Sequence, residues 1–269
     1  MAGFKTRVLS AVGLVIILGS ALYFGGAYLW ALLLFLSLVG LFEFYRALRP
    51  ENERTGFKPG VLELVGFIGC IFYYLVMLLT RSEKHLFFSI IGILIIMMLF
   101  FVIRYPQYDS DRFMAGFFGI IYVCVTLSFV YMIRQAQSGD KTVWIIFISS
   151  WICDTCAYLT GMAIGKHKLV PKLSPKKSVE GAVGGVIGAA LVGLLFAHIT
   201  DLSGLQIMLI TAAGAVISQF GDLTASAFKR NHNIKDYGKL IPGHGGVLDR
   251  FDSVIITAPV IYILYSITV

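Results

Sequence analysis

Long apolar runs, each about as long as a bilayer-spanning helix, constrain the fold of this chain more than any other feature of its sequence. A helix needs roughly 20 residues to cross the hydrocarbon core. Only helices and closed barrels satisfy every backbone N–H and C=O group inside a bilayer, and these runs are continuous rather than alternating, which favours helices. The predicted fold class is therefore an all-α polytopic integral membrane protein. About nine transmembrane helices are predicted, at roughly 8–25, 27–45, 61–80, 86–103, 113–133, 143–164, 182–199, 204–228 and 251–268.

The composition agrees with this fold class. Hydrophobic residues make up 58% of the chain and charged residues 14%, whereas soluble domains carry about 25% charged residues. Lys5 and Arg7 precede the first apolar run, as they would in a signal peptide. No clear small-x-small cleavage site follows, and a second run begins almost at once, so the first run is also interpreted as a membrane helix.

Basic residues predict the orientation of the helices. With nine spans, 18 of the 22 Lys and Arg residues fall on one side of the membrane, and the positive-inside rule makes that side cytoplasmic. The N-terminus is then cytoplasmic and the C-terminus outside. Much of the net charge of +7 is explained by topology and anionic lipid, so no nucleic acid partner is expected. The excess in the loops 165–181 and 229–250 is compatible with a polyanionic substrate. We expect a multi-pass protein of the plasma membrane, with its active site on the cytoplasmic side.

Chemistry-bearing residues are concentrated in the second half of the chain. Residues 1–140 are interpreted as a scaffold of transmembrane helices, in which Glu43 and Glu63 lie near span ends and can reach the interface. Residues 141–269 are interpreted as the catalytic region, with cytoplasmic loops at 165–181 and 229–250. The CxxC of Cys153 and Cys156 lies inside a predicted helix and is attributed to packing.

The sixth predicted span and the loop after it carry the first candidate site residues. Asp154 lies inside the span, where a carboxylate is costly and usually serves function. The loop 165–181 is rich in lysine and contains Ser174, Lys176 and Lys177 just before a helix-start signal at Glu180. A helix N-terminus beside two ammonium groups favours a phosphate. Lysines that only anchor a cytoplasmic loop are the alternative interpretation.

The stretch 217–252 adds a second group of polar residues. Asp222, Ser226 and Lys229 have the spacing of one helix face, and Asp249 and Asp252 lie three residues apart at the start of the last span. Between them, Gly243, Gly245 and Gly246 surround His244 and allow backbone N–H groups to approach an anion. Carboxylates without thiols or paired histidines suit Mg²⁺, which bridges protein carboxylates to phosphates. This pattern predicts a metal–nucleotide or metal–pyrophosphate site.

The residues from Ser226 to Asp252 resemble the signature of the phosphatidate cytidylyltransferases, or CDP-diacylglycerol synthases. That signature reads Ser-x-apolar-Lys-Arg, four residues, Lys-Asp-x-small, two residues, apolar-Pro-x-His-Gly-Gly-apolar-x-Asp-Arg-apolar-Asp, and every fixed position matches. Asp154 lies in a Trp-x-x-Asp-x-x-Ala-Tyr pattern of the family. SPKKSVEG resembles its Ser-Pro-Lys-Lys-Thr-x-Glu-Gly pattern, with Ser178 in place of threonine. The resemblance is close over about the last 120 residues.

The resemblance implies a reaction in which CTP and phosphatidate give CDP-diacylglycerol and pyrophosphate in phospholipid biosynthesis. It also implies Mg²⁺ as cofactor, with a second cation such as K⁺ left open, and a homodimer in a lipid membrane. The expected metal ligands are Asp222 and Asp249, with Asp252 and Asp154 beside them. Lys229, Asp236 and His244 complete the expected catalytic set. The expected substrate-binding residues are Ser174, Lys176, Lys177, Ser226, Arg230, Lys235, Lys239, Gly245, Gly246 and Arg250.

Three other functions compete with this interpretation. A CTP-dependent kinase of polyprenol-type lipids would use several of the same features and release CDP. A cation-coupled transporter would use Asp154 and Asp222 as an ion path, but it is expected to have repeated halves, which this sequence lacks. A CDP-alcohol phosphotransferase would carry an Asp-x-x-Asp-Gly-x-x-Ala-Arg pattern, which is absent.

Overall fold

A computed structural model of the chain describes residues 4–268 and consists almost wholly of helices. Two π-helical turns, Ile120–Val125 and Ile148–Ile152, each join two α-helices into one continuous helix. The α-helices are α1 Phe4–Phe24, α2 Gly26–Leu48, α3 Glu51–Arg54, α4 Val61–Thr80, α5 Glu83–Ile103, α6 Ser110–Gly119, α7 Thr126–Gln135, α8 Gly139–Phe147, α9 Cys153–Ile164, α10 Val179–Ile199, α11 Gly204–Asn231 and α12 Leu248–Thr268.

The helices confirm an all-α multi-pass membrane protein. Within residues 4–268, eight helical stretches are long and apolar enough to cross a membrane. These are α2, α4, α5, α6 with α7, α8 with α9, α10, α11 and α12. The apolar part of α1, Val8–Phe24, is shorter. The count of nine spans and the orientation of the termini therefore stay predictions, although a helix lies at each predicted position.

A short antiparallel hairpin interrupts the helical fold where the sequence predicted only a loop at 165–181. Strand β1, Lys168–Val170, pairs with strand β2, Ser174–Ser178, so that Val170 faces Ser174 and Lys168 faces Ser178. The predicted helix start after this segment is confirmed, because the side chain of Ser178 accepts a hydrogen bond from the backbone N–H of Gly181, at 3.1 Å. Such a cap satisfies a donor that the first turn of a helix leaves free.

The chain forms two compact units. The first comprises the described residues up to Ser128 together with Asp236–Leu248. Its central helix is α2, whose side chains bond to α4 and α6 across the apolar packing. The indole N–H of Trp30 donates to the carbonyl of Tyr74 at 2.8 Å, and the hydroxyl of Tyr45 donates to the carbonyl of Gly116 at 2.7 Å. Buried polar groups need such partners, so these bonds fix how α2 packs.

The second unit comprises Phe129–Lys235 and Asp249–Val269, of which residues up to 268 are described. Its helix α10 packs closely on α9 because glycines line the contact. A Cβ atom at Gly184 would overlap the side chain of Thr160, and one at Gly188 would overlap Cys156. Small residues allow two helices to approach closely inside a membrane. The position of Cys156 against Gly188 agrees with the packing role predicted for the CxxC.

Candidate active site

The second unit brings a lysine and two carboxylates together where α11 ends and α12 begins. The ammonium nitrogen Nζ of Lys229 lies 2.9 Å from Asp249 Oδ1 and 3.7 Å from Asp252 Oδ2. Asp249 is only 6% exposed, and a charge so buried needs an opposite charge beside it. Asp249 in the first turn of α12, and Lys229 and Arg230 in the last turn of α11, also match the two helix dipoles.

Close backbone packing holds these two helices together at the site. A Cβ atom at Gly221 would lie 3.0 Å from the carbonyl oxygen of Asp252, so α11 and α12 touch one residue before Asp222. Helix α11 continues to Asn231, well beyond this contact. Asp222, Ser226 and Lys229 therefore lie on one unbroken helix and share one face, as their spacing indicates.

The hairpin contributes a second lysine to the carboxylates. The ammonium group of Lys177, on β2, forms an ion pair with the carboxylate of Asp222. Glu180 fixes the start of the hairpin, because its carboxylate accepts the backbone N–H groups of Lys166 and His167, at 3.1 and 3.2 Å. Its Oε1 also lies 2.6 Å from His167 Nδ1. These contacts hold the first turn of α10 against the residues that precede β1.

A π-helical turn ends two residues before Asp154. The turn Ile148–Ile152 inserts an extra residue into the helix that runs from α8 to α9, which rotates the following side chains by about 100°. The Asp154 carboxylate lies within charge–charge range of Asp222, Lys177 and Arg250. Asp252 is in turn within range of both Asp154 and Asp222. Asp154 and Asp222 also line the same cavity, together with Lys177.

Two neighbouring cavities open beside this cluster. The first has a volume of about 540 Å³, and its charged lining consists of Asp154, Lys168, Lys176, Lys177 and Asp222. The second, of about 480 Å³, lies between α10 and α11 and is lined almost wholly by aliphatic and aromatic side chains. Leu169, Ala182 and Gln219 line both cavities. A charged cavity and an apolar cavity therefore lie side by side and share part of their walls.

Four other predicted site residues lie within a few residues of Lys177 or Lys229 in the sequence. Ser174 opens β2, and the exposed side chain of Lys176 follows it. Arg230 donates from Nη1 to the carbonyl of Ile234, at 3.3 Å, and so caps the end of α11. Lys235 is exposed at the last residue before the chain enters the first unit.

The first unit holds the glycine-rich turn. Gly243 and Gly245 have φ angles of 79° and 87°, a region that favours glycine. The N–H of Ile241 donates to the carbonyl of Gly245 at 2.9 Å, which closes the turn. His244 Nδ1 lies 2.9 Å from the hydroxyl of Ser10 on α1. Asp236 and Lys239 are exposed in the same segment.

Glu43 packs against this segment, in an environment that differs from the one predicted from the sequence. The prediction that Glu43 and Glu63 reach the membrane interface is wrong, because the two are 3% and 7% exposed. Glu63 forms a buried ion pair with Arg49. Glu43 Oε2 accepts the backbone N–H of Leu248, at 3.0 Å. No local sequence pattern signals this contact, because Leu248 lies 205 positions after Glu43.

The carboxylates have the right chemistry for a hard cation, although they form no preassembled cage. Among residues 4–268, no group of three or more His, Cys, Asp or Glu side chains is arranged to hold a metal ion. Mg²⁺ needs only one or two protein carboxylates, because water and substrate phosphate complete its shell. The donor set of Asp154, Asp222, Asp249 and Asp252 therefore fits Mg²⁺.

Comparisons with known proteins agree with the signature. A model of the Cytidylyltransferase family matches residues 5–268. The phosphatidate cytidylyltransferase of Staphylococcus haemolyticus (strain JCSC1435) is 31% identical over 265 residues, which cover 97% of this chain and 98% of that protein. The proteins of the same name from Staphylococcus epidermidis (strain ATCC 12228 / FDA PCI 1200) and Staphylococcus aureus (strain COL) are 32% and 31% identical over 266 residues, with the same coverage. The resemblance drawn from the signature is confirmed.

Proposed function

Because this chain belongs to the cytidylyltransferase family, we propose that it transfers the cytidylyl group of CTP to phosphatidate and releases CDP-diacylglycerol and pyrophosphate. Membership makes the chain an enzyme, a nucleotidyltransferase. The names of the three relatives supply phosphatidate as the acceptor. The observation that supports the acceptor in this chain is a charged cavity that lies directly beside an apolar one.

An anionic lipid matches both cavities. Lys168, Lys176 and Lys177 on the hairpin offer three ammonium groups to a phosphate in the charged cavity. An acyl chain fits the neighbouring apolar cavity, where Val183 and Phe220 are 54% and 61% exposed. In a membrane-spanning protein such exposed apolar side chains face lipid. The lipid substrate can thus enter from the bilayer while its phosphate stays beside the charged residues.

The proposed reaction is a substitution at phosphorus. A phosphate oxygen of phosphatidate bonds to the α-phosphorus of CTP, and the bond from that phosphorus to the bridging oxygen breaks, so pyrophosphate leaves with the electron pair. The attacking phosphate is already an anion near neutral pH, and a strong general base is therefore not required. Catalysis then depends on positioning and on neutralising the charge of several phosphates. Lys229, Arg230, Lys235, Lys239 and Arg250 are the proposed cations, and Ser226 and His244 are proposed to hydrogen-bond the phosphates.

Mg²⁺ is proposed as the cofactor. Asp222 and Asp249 are the proposed ligands, with Asp154 and Asp252 beside them. When bound, the ion would neutralise phosphate charge and orient the leaving pyrophosphate. Asp236 is proposed to ligate the metal or to orient Lys239, and a second cation such as K⁺ stays open.

The predicted orientation of the helices indicates the side of the membrane on which the reaction takes place. We place the active site on the cytoplasmic side of the plasma membrane, where nucleoside triphosphates are found and where the basic loops are predicted to lie. The homodimer implied by the resemblance stays a prediction.

A product assay tests the proposed function. Detergent-purified protein is given CTP labelled with ³²P at the α position, phosphatidate and Mg²⁺. We expect the label to enter the lipid phase with one pyrophosphate released per lipid, and no transfer when Mg²⁺ is removed by a chelator.

Other outcomes assign other functions. Label that stays in water as CDP would identify the CTP-dependent lipid kinase instead. CTP that stays intact with and without lipid, in protein shown to be folded, would overturn the enzymatic proposal and favour the transporter.

A further inference from the structure

Glu43, in the first half of the chain, contacts a backbone group near the start of the last helix. It lies on α2, is 3% exposed, and accepts the backbone N–H of Leu248 at 3.0 Å. The two residues are 205 positions apart and both belong to the first unit. Leu248 immediately precedes Asp249, a proposed metal ligand. Burying a carboxylate is unfavourable unless hydrogen bonds replace the ones it made to water. The Glu43 carboxylate is therefore expected to have a specific role.

Two glycines of the signature segment pack directly on this carboxylate. A Cβ atom at Gly238 would overlap Glu43 Oε1, and one at Gly246 would overlap both carboxylate oxygens of Glu43. Neither glycine has a positive φ angle, unlike Gly243 and Gly245. The φ angles at 238 and 246 would thus accept alanine. At Gly246 the nearest atoms to an added Cβ all belong to the Glu43 carboxylate, whereas at Gly238 the backbone Cα of Gly246, 2.9 Å away, also excludes it.

Arg46 makes a second contact from the same helix, one turn after Glu43. Its Nη2 donates to the backbone carbonyl of Tyr237, at 2.8 Å. Tyr237 lies near the start of the segment 236–248 and Leu248 at its end. Helix α2 therefore holds both ends of the segment that carries the glycine-rich turn, one through a cation and the other through a carboxylate.

We infer that Glu43 is a positioning residue for the active site: its buried carboxylate holds the segment 236–248, so that the backbone of the glycine-rich turn is presented to the phosphates in a fixed geometry. The inference rests on the proposed function. Glu43 itself contacts no reacting atom, and it acts through the backbone of Gly246 and Leu248. Hydrogen bonds from backbone N–H groups to a charged acceptor are stronger than neutral ones, which suits a contact whose purpose is rigidity.

The first test replaces the carboxylate by an amide of the same size. Glu43→Gln turns one acceptor oxygen into a donor, so we expect kcat/KM for CTP to fall by at least tenfold while the protein remains folded. Hydrogen exchange of the peptide spanning 236–248 should become faster. The matched control is Glu63→Gln on α4, because Arg49 keeps a second partner in Glu53, at 3.0 Å. The control should lower thermal stability but leave kcat/KM within about twofold.

A second test exchanges volume between the two partners. Gly246→Ala places a methyl group against the Glu43 carboxylate and should also lower kcat/KM. Glu43→Asp withdraws the carboxylate by one methylene, so the double variant Glu43→Asp/Gly246→Ala should be at least several-fold more active than Gly246→Ala alone. If the methyl group of Gly246→Ala clashed with another part of the segment instead, shortening residue 43 would not restore activity.

The outcomes separate this inference from the proposed function. Wild-type protein that makes no CDP-diacylglycerol contradicts the proposed function, whatever the variants do. An active wild type with Glu43→Gln at normal kcat/KM, or with unchanged hydrogen exchange at 236–248, overturns the positioning role alone. So does a double variant whose loss of activity is the product of the two single losses.

Discussion

The side chains of Lys229 and Asp249 form a buried ion pair that joins the last turn of α11 to the first turn of α12, with Nζ 2.9 Å from Oδ1. Asp252 lies 3.7 Å from the same nitrogen. Two carboxylates thus share one ammonium group. The arrangement keeps the two helix ends together.

Replacing Asp249 by asparagine should abolish turnover without unfolding the protein. The substitution removes one negative charge from the proposed metal site, but Lys229 keeps Asp252 as a partner. We expect kcat to fall by at least about a hundredfold, the size of effect seen when one preorganised electrostatic group is removed from an active site. The measurement is CDP-diacylglycerol formation over a range of Mg²⁺ concentrations, with thermal stability recorded in parallel.

Asp201→Asn is the matched control for this variant. Asp201 is exposed and has a φ angle of 55°, which asparagine adopts as readily as aspartate. The activity of the Asp201→Asn variant should equal that of the wild type. Near-normal rates for Asp249→Asn at limiting Mg²⁺ would refute the ligand assignment.

Replacing Lys177 by methionine should weaken the use of both anionic substrates. The variant removes the ammonium group that pairs with Asp222 and lines the charged cavity. A hydrogen bond to a charged group contributes about 1.5–3 kcal/mol, so kcat/KM should fall by about 10- to 100-fold. Steady-state rates with CTP and with phosphatidate as the varied substrate measure the change.

Lys172→Met on the same hairpin provides the comparison. Lys172 is exposed between the two strands and does not line the cavity. The variant Lys172→Met removes the same charge from the same loop. A general electrostatic effect of the loop would therefore lower activity in both variants. An equal loss in Lys172→Met and Lys177→Met would therefore argue against a specific site at Lys177.

Filling the apolar cavity should impair long-chain lipid substrates selectively. Val183 is 54% exposed and lines the cavity between α10 and α11, and Val183→Trp would occupy part of its 480 Å³. We expect the KM for long-chain phosphatidate to rise about tenfold or more, since each buried methylene group contributes roughly 0.8 kcal/mol. The KM for short-chain phosphatidate should change little.

Leu195→Trp is the control for lipid selectivity. Leu195 lies on the same helix, is 57% exposed, and does not line the cavity. If both tryptophan variants altered the long-chain KM equally, the apolar cavity would not be the acyl site.

Adding a methyl group at Gly188 should destabilise the second unit. The new Cβ would overlap the side chain of Cys156 on α9, and overpacking typically costs about 1–3 kcal/mol. Gly92→Ala on α5 is the control, because no atom lies within 4 Å of a Cβ placed there. Thermal unfolding in detergent should show a lower midpoint for Gly188→Ala only. Equal midpoints would mean that α9 and α10 can move apart at no cost.

The sequence predicted the helices and most of the local chemistry well, for a physical reason. Bilayer thickness sets the length of an apolar run, so the run at 61–80 coincides with α4, Val61–Thr80. Helix periodicity likewise predicted that Asp222 and Lys229 share one face, because α11 continues past both.

Features that depend on distant partners could not be predicted in this way. The strand 174–178 contains Pro175 and has no alternating pattern, and it exists because it pairs with β1. The π-helical turn before Asp154 leaves no mark in hydropathy. Glu43 is explained only by residues about 200 positions later, and no local pattern encodes such a contact.

The passage of Asp236–Leu248 back into the first unit has a consequence for biosynthesis. Ribosomes extend a chain at about 5–20 residues per second, so on the order of ten seconds separate the synthesis of Ser128 from that of Leu248. Throughout that interval Glu43 lacks the backbone N–H of Leu248 that it accepts in the finished protein. The first unit is therefore completed late, and a fragment that ends at Ser128 would carry the Glu43 carboxylate without this partner.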